Sequence, residues 1–147
     1  MNKDKLKEFV NALDSLSDDV KDWGVTMSST NKPACGTPGC HEGLVSIVAE
    51  NLPELQEIYK RIFFSLWNIR SSRYECDAWA DTLAEFLGFV DMHRLTDWAK
   101  DNPKLWGNKR GYHMFCSKLA FTDDLFKKLT HRDIINHWKQ VLKNIEA

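Results

Sequence analysis

The chain has few residues that break helices or cross-link loops: its 147 positions hold seven glycines, four prolines and four cysteines. A β-sandwich or barrel needs a turn between each pair of short strands, and this supply of turn residues argues against one. The cysteines at 35, 40, 76 and 116 are too sparse for the disulfide framework of a small secreted domain. Two of them fall inside helical patterns, so all four are expected as thiols. No apolar run approaches the roughly 20 residues of a membrane span. The first eight residues, Met1 to Glu8, lack the apolar centre of a signal peptide. The expected location is therefore the cytoplasm, with no membrane partner. A net charge of −1 gives no overall attraction to nucleic acid or to anionic lipid.

What is present reads as a globular chain, 43% hydrophobic and 28% charged. Its length suits one domain, residues 1–147, able to bury a core without metal or disulfide staples. Apolar residues recur at helical spacing through Leu6, Phe9, Val10, Leu13 and Leu16, after which Ser17-Asp18-Asp19 interrupts the pattern. Thr37-Pro38 signals a helix start, with Cys40, Leu44, Ile47 and Val48 on one side and Asn51-Leu52-Pro53 as the stop. Pro53 opens the most periodic stretch, through Leu55, Ile58, Tyr59, Ile62, Phe63, Leu66 and Ile69, with Phe64 and Trp67 widening its apolar face. That width predicts the central helix of the fold.

A further stripe runs through Cys76, Trp79, Ala80, Leu83, Phe86 and Leu87, and Gly88 can terminate it. Shorter helices are expected from Met92 to Lys100, with Leu95 and Trp98 inward, and around Tyr112, Phe115, Cys116, Leu119 and Ala120. Thr130 with Asp133 forms a weak capping box ahead of Ile134, Ile135, Trp138, Val141, Leu142 and Ile145. His131 and His137 are expected on the surface of this last helix. The prediction is one compact all-α domain, a bundle of about six to eight helices.

The densest group of special residues is Cys35-Gly36-Thr37-Pro38-Gly39-Cys40-His41-Glu42-Gly43. With the preceding helix and the later Trp106-Gly107-Asn108 and Met114-Phe115, it resembles a group of small uncharacterised proteins from bacteria and their phages. Those carry a Cys-Gly-Thr-x-x-Cys-x-x-Gly knot after an N-terminal helix. Where that pattern has a small residue and then Gly-Trp, this chain has His41-Glu42-Gly43-Leu44. The resemblance implies a helical fold and a bacterial or phage origin, and it implies no activity.

Four readings of the knot follow from its residues. Cys35, Cys40, His113 and Cys116 are soft ligands that could converge on zinc, although C-x4-C is not a common zinc-finger spacing. Cys40 near a helix start could be an activated thiol, which would make the protein a thiol-dependent enzyme, but adjacent His41 is badly placed to serve as its base. Gly36, Thr37 and Gly39 could offer backbone donors to an anion, without the spacing or lysine of a phosphate-binding loop. The favoured reading is architectural: glycines for a tight turn, Thr37-Pro38 for the helix start, and cysteines as small buried groups.

Charge is distributed unevenly. Residues 104–147 carry nine Lys and Arg against four Asp and Glu, while residues 1–103 carry 11 against 17. The basic C-terminal third, with Lys104, Lys109, Arg110, Lys127, Lys128, Arg132 and Lys139, is the candidate binding face. The expected function is therefore non-catalytic binding of a protein partner with an acidic surface. Nucleic acid is the less favoured partner, because nothing marks a recognition helix, and self-association into a homo-oligomer is compatible with the same composition.

Overall fold

The computed structural model describes residues 1–22, 41–65, 74–105 and 130–147. Among these the chain is all-α. Its helices are α1 (Lys3–Asp14), α2 (Asp18–Lys21), α3 (His41–Ala49), α4 (Pro53–Ser65), α5 (Tyr74–Phe86), α6 (Met92–Asp101) and α7 (His131–Glu146). The predicted start at Thr37-Pro38 and the predicted helix around Tyr112 to Ala120 lie outside the described residues.

Local chemistry accounts for most of the helix ends. Asn2 caps α1 by accepting a hydrogen bond from the backbone N–H of Lys5 at 3.1 Å, and its own N–H donates to the carbonyl of Leu87 at 2.8 Å. The polar break at Ser17-Asp18-Asp19 becomes a single helical turn, α2, capped by Ser17 and burying none of its residues. Pro53 stands at the first position of α4, where its missing N–H costs nothing. Beside it, the Gln56 side chain donates to the carbonyl of Ala49 at 2.7 Å and secures the turn from α3.

The end of α5 is a Schellman motif. Phe89 N–H bonds to the carbonyl of Ala84 at 2.8 Å and Gly88 N–H to that of Glu85 at 3.0 Å, with Gly88 at φ 95°. The next helix is held at its N-terminus by two carboxylates: Asp91 accepts from Arg94 N–H and Asp81, reaching across from α5, accepts from Met92 N–H, each at 2.9 Å. Both sit where the helix dipole favours negative charge.

The packing corrects one expectation. α4 was expected at the centre, yet Leu55 is its only fully buried residue and Phe64 is 73% exposed. Among the described helices its main neighbour is α5, which it meets through Tyr59 stacked on Trp79 at 3.8 Å between ring centroids. The centre belongs to α3 and α5. α3 packs against α1, α4, α5 and α7 and buries Leu44, Val45, Val48 and Ala49. α5 packs against α3, α4 and α6 and buries Ala78, Ala80, Thr82, Leu83, Ala84 and Phe86. Small side chains on α5 let neighbouring helices come close on several sides. Thr82 fits there because its hydroxyl donates to the carbonyl of Ala78 at 2.6 Å.

α1 and α7 form the other wall. Leu6, Phe9, Val10 and Leu13 of α1 face Ile134, Ile135, Trp138 and Val141 of α7 within one continuous core. No helix among the described residues is long and apolar enough to cross a membrane.

Candidate docking face on the C-terminal helix

The last helix is positioned by its start. Thr130 and Asp133 form a reciprocal capping box, Asp133 accepting from Thr130 N–H at 2.8 Å and Thr130 Oγ1 accepting from Asp133 N–H at 3.4 Å. His131, Ile134, Ile135, Trp138 and Val141 then turn inward. By helical spacing Arg132, Asn136, Lys139 and Lys143 share the opposite, solvent-facing stripe.

This stripe is matched by carboxylates from the N-terminal part of the chain. Arg132 Nε donates to Asp22 at 2.9 Å and its Nη2 to Asp18 at 3.2 Å. Lys139 Nζ lies 2.7 Å from Asp14, and Lys21 Nζ lies 3.7 Å from the same carboxylate. The acidic residues stand at the end of α1 (Asp14) and at the start and C-cap of α2 (Asp18 and Asp22), and all three meet α7. The hydrogen bond from Lys139 holds the Asp14 carboxyl below the usual aspartate range, against a small opposing effect of burial. Hydrogen bonds to Asp22 and then Asp18 raise the pKa of Arg132, reinforcing its charge. All these groups keep contact with water, so the pairs hold weakly and are screened by salt.

Beneath the stripe lies a departure from expectation. His131, predicted at the surface, is 0% exposed, and its Nδ1 is 3.1 Å from the carbonyl oxygen of Val20. A carbonyl can only accept, so Nδ1 carries the proton in this contact. His137 is also partly buried rather than exposed. At the other end of α7, Asn144 donates to the carbonyls of Leu105 at 2.9 Å and Lys104 at 3.5 Å. That places the backbone of exposed Lys104 beside the last turn of α7.

Of the predicted basic residues, Arg132 and Lys139 share one face and Lys104 approaches its far end. Lys109, Arg110, Lys127 and Lys128 lie outside the described residues. So do the predicted zinc ligands Cys35, Cys40, His113 and Cys116. Among the described residues there is no group of three or more His, Cys, Asp or Glu placed to hold a metal ion. Sequence reasoning passed over Lys143, which helical spacing from Lys139 would have found, and the three aspartates, which no pattern in the sequence ties to α7.

The fold and this face define an all-α protein whose C-terminal helix carries an outward row of cations. Comparisons with protein-family models, curated proteins and solved structures found no match to the chain.

Proposed function

We propose that this protein acts without catalysis, by binding another protein through the cationic face of its C-terminal third. On the resemblance of its Cys35 to Gly43 knot, it is read as a cytoplasmic accessory protein of a bacterium or phage. The observation that carries the binding reading is the outward row of Arg132, Lys139 and Lys143 on one helix. Trp138 and Ile135 lock the opposite side of the same helix into the core, so the backbone that carries the cations is fixed before a partner arrives. A protein is favoured over nucleic acid because the sequence carries no pattern that marks a recognition helix.

Affinity capture from the native host, with and without nuclease, tests the reading. Charge reversal at Lys104 and Lys143, both exposed, should abolish capture while the far-ultraviolet circular dichroism spectrum stays helical. Unchanged capture by the reversed protein would reject this face, and nuclease-sensitive capture would assign it to nucleic acid.

A further inference from the structure

Resting on that reading, we infer that the acidic segment of the partner docks on Lys3 and Lys7 of α1 together with Lys143 of α7, at the end of the seam between these helices that lies away from α2. The two helices run antiparallel. Lys21 Nζ of α2 donates to the carbonyl of Asp14 at 2.6 Å, and the Val20 carbonyl meets His131, so the end of α1 lies against the start of α7. Phe9 and Trp138 meet near the middle of both helices. Asp14 and Lys139 touch along one flank of the seam. Lys7 and Lys3 stand seven and eleven residues before Asp14, on the same flank of α1, and Lys143 stands one turn beyond Lys139 on the same flank of α7. In an antiparallel pair both runs lead to one end, so the three lysines gather where α1 begins and α7 ends.

Charge divides this flank into two halves. Beside α2, the cations Lys21, Arg132 and Lys139 face Asp14, Asp18 and Asp22, and each cation already engages at least one of the carboxylates. α2 is kept in place there by Val20, packed against the core, and by the hold of Lys21 on Asp14. That half is neutral and closed. In the other half Lys3, Lys7 and Lys143 are exposed, and among the described residues none of them pairs with a carboxylate. Helical spacing puts Glu146 on the same flank and Asp4 further round α1, so the cations outnumber the carboxylates near them. Like charges one turn apart on a helix repel, and an anion between them relieves that repulsion. One turn sets Lys3 and Lys7 about 6 Å apart along α1, and a packed neighbouring helix lies about 8–10 Å away. A short acidic segment with carboxylates spread over those distances would answer all three lysines.

Fluorescence anisotropy on the full chain tests the inference. The probe is a short labelled poly-glutamate peptide at low salt, beside a control peptide with glutamines in place of the glutamates. K3Q/K7Q should weaken binding of the glutamate peptide roughly three- to tenfold, since two exposed charge pairs are lost. K60Q/R94Q removes the same charge from α4 and α6 and should stay within about twofold of the wild type, as should D14N/K139Q, which deletes a cation together with its own carboxylate. E146Q should tighten binding. All these positions are exposed, and the circular dichroism spectra should stay helical.

Equal losses from K60Q/R94Q would reveal diffuse attraction and overturn the site. Equal losses from D14N/K139Q would overturn the division of the flank, and weaker binding by E146Q would overturn the placement beside it. Wild-type affinity in K3Q/K7Q would remove α1 from the docking surface while leaving the protein-binding reading standing. Absence of binding by the wild type would overturn both, as would equal binding of the glutamine peptide. Tighter binding of a single-stranded oligonucleotide of the same charge would overturn the choice of partner.

Discussion

Phe9 of α1 meets Trp138 of α7 edge to face, with ring centroids 5.5 Å apart and planes at 90°, and both rings are fully buried. This orientation sets the positive edge of one ring against the negative face of the other. It joins the N-terminal helix to the C-terminal one at the middle of the core, and the charge pairs of Asp14, Asp18 and Asp22 lie further along the same two walls.

Trp138→Ala should cost about 3–5 kcal/mol of stability, through lost burial and the cavity left behind. Urea unfolding followed by circular dichroism would read this as a lower midpoint. Phe9→Ala should cost less in that background than in the wild type, by about 0.5–1.5 kcal/mol, because the ring contact has already gone. Strict additivity would show that the contact adds nothing beyond area.

Gly88→Ala should destabilise by about 1–2 kcal/mol, since φ 95° is backbone that an L side chain rarely adopts. The added Cβ would stand 3.4 Å from Asn2, close enough to crowd the start of α1 without overlapping it. Gly88→Asn should be milder, because asparagine tolerates the left-handed region better. Thermal unfolding of the two variants side by side checks the order.

Thr130→Ala removes one half of the capping box on α7 and should cost about 1 kcal/mol. The loss should appear as a shifted urea midpoint with an unchanged slope, since the core is untouched. A wild-type midpoint would mean that water replaces the cap fully.

Lowering pH should weaken the seam between α1 and α7. The Asp14 carboxyl is held below its unfolded value, chiefly by the hydrogen bond from Lys139. Its contribution is therefore fully present above the unfolded pKa of roughly 4 and is lost as pH falls through the lower folded value. Lys139→Gln should flatten the dependence of stability on pH in that acid window, as should added salt. An identical slope in wild type and variant would remove Asp14 as the cause.

Much of the fold was legible in the sequence, because helical period reports which residues share a face. The stripe Leu6, Phe9, Val10 and Leu13, the cap at Thr130, the turn at Gly88 and the break at Pro53 all appear in the structure as predicted. Period does not report how many neighbours a helix has. Large aromatics made α4 look central, while Ala78, Ala80 and Ala84, which admit close neighbours on α5, carried little weight. His131 was misplaced for a related reason: a polar side chain is buried when a backbone carbonyl is waiting for it, and Val20 is distant in sequence. For the candidate site, Arg132, Lys139 and Lys104 were named from charge alone. The aspartates that engage the first two were not, since a charge count over a segment says nothing about which charges from elsewhere lie against it.

The pairing of α1 with α7 also orders events during synthesis. The apolar stripe of α1 leaves the ribosome well ahead of the α7 surface that covers it. Until residues 131–146 emerge, Leu6, Phe9, Val10 and Leu13 lack their α7 partners, and a chain halted before that point would present that side of α1 to chaperones or proteases. Docking of α7 is thus the step that shields this stripe on the nascent chain.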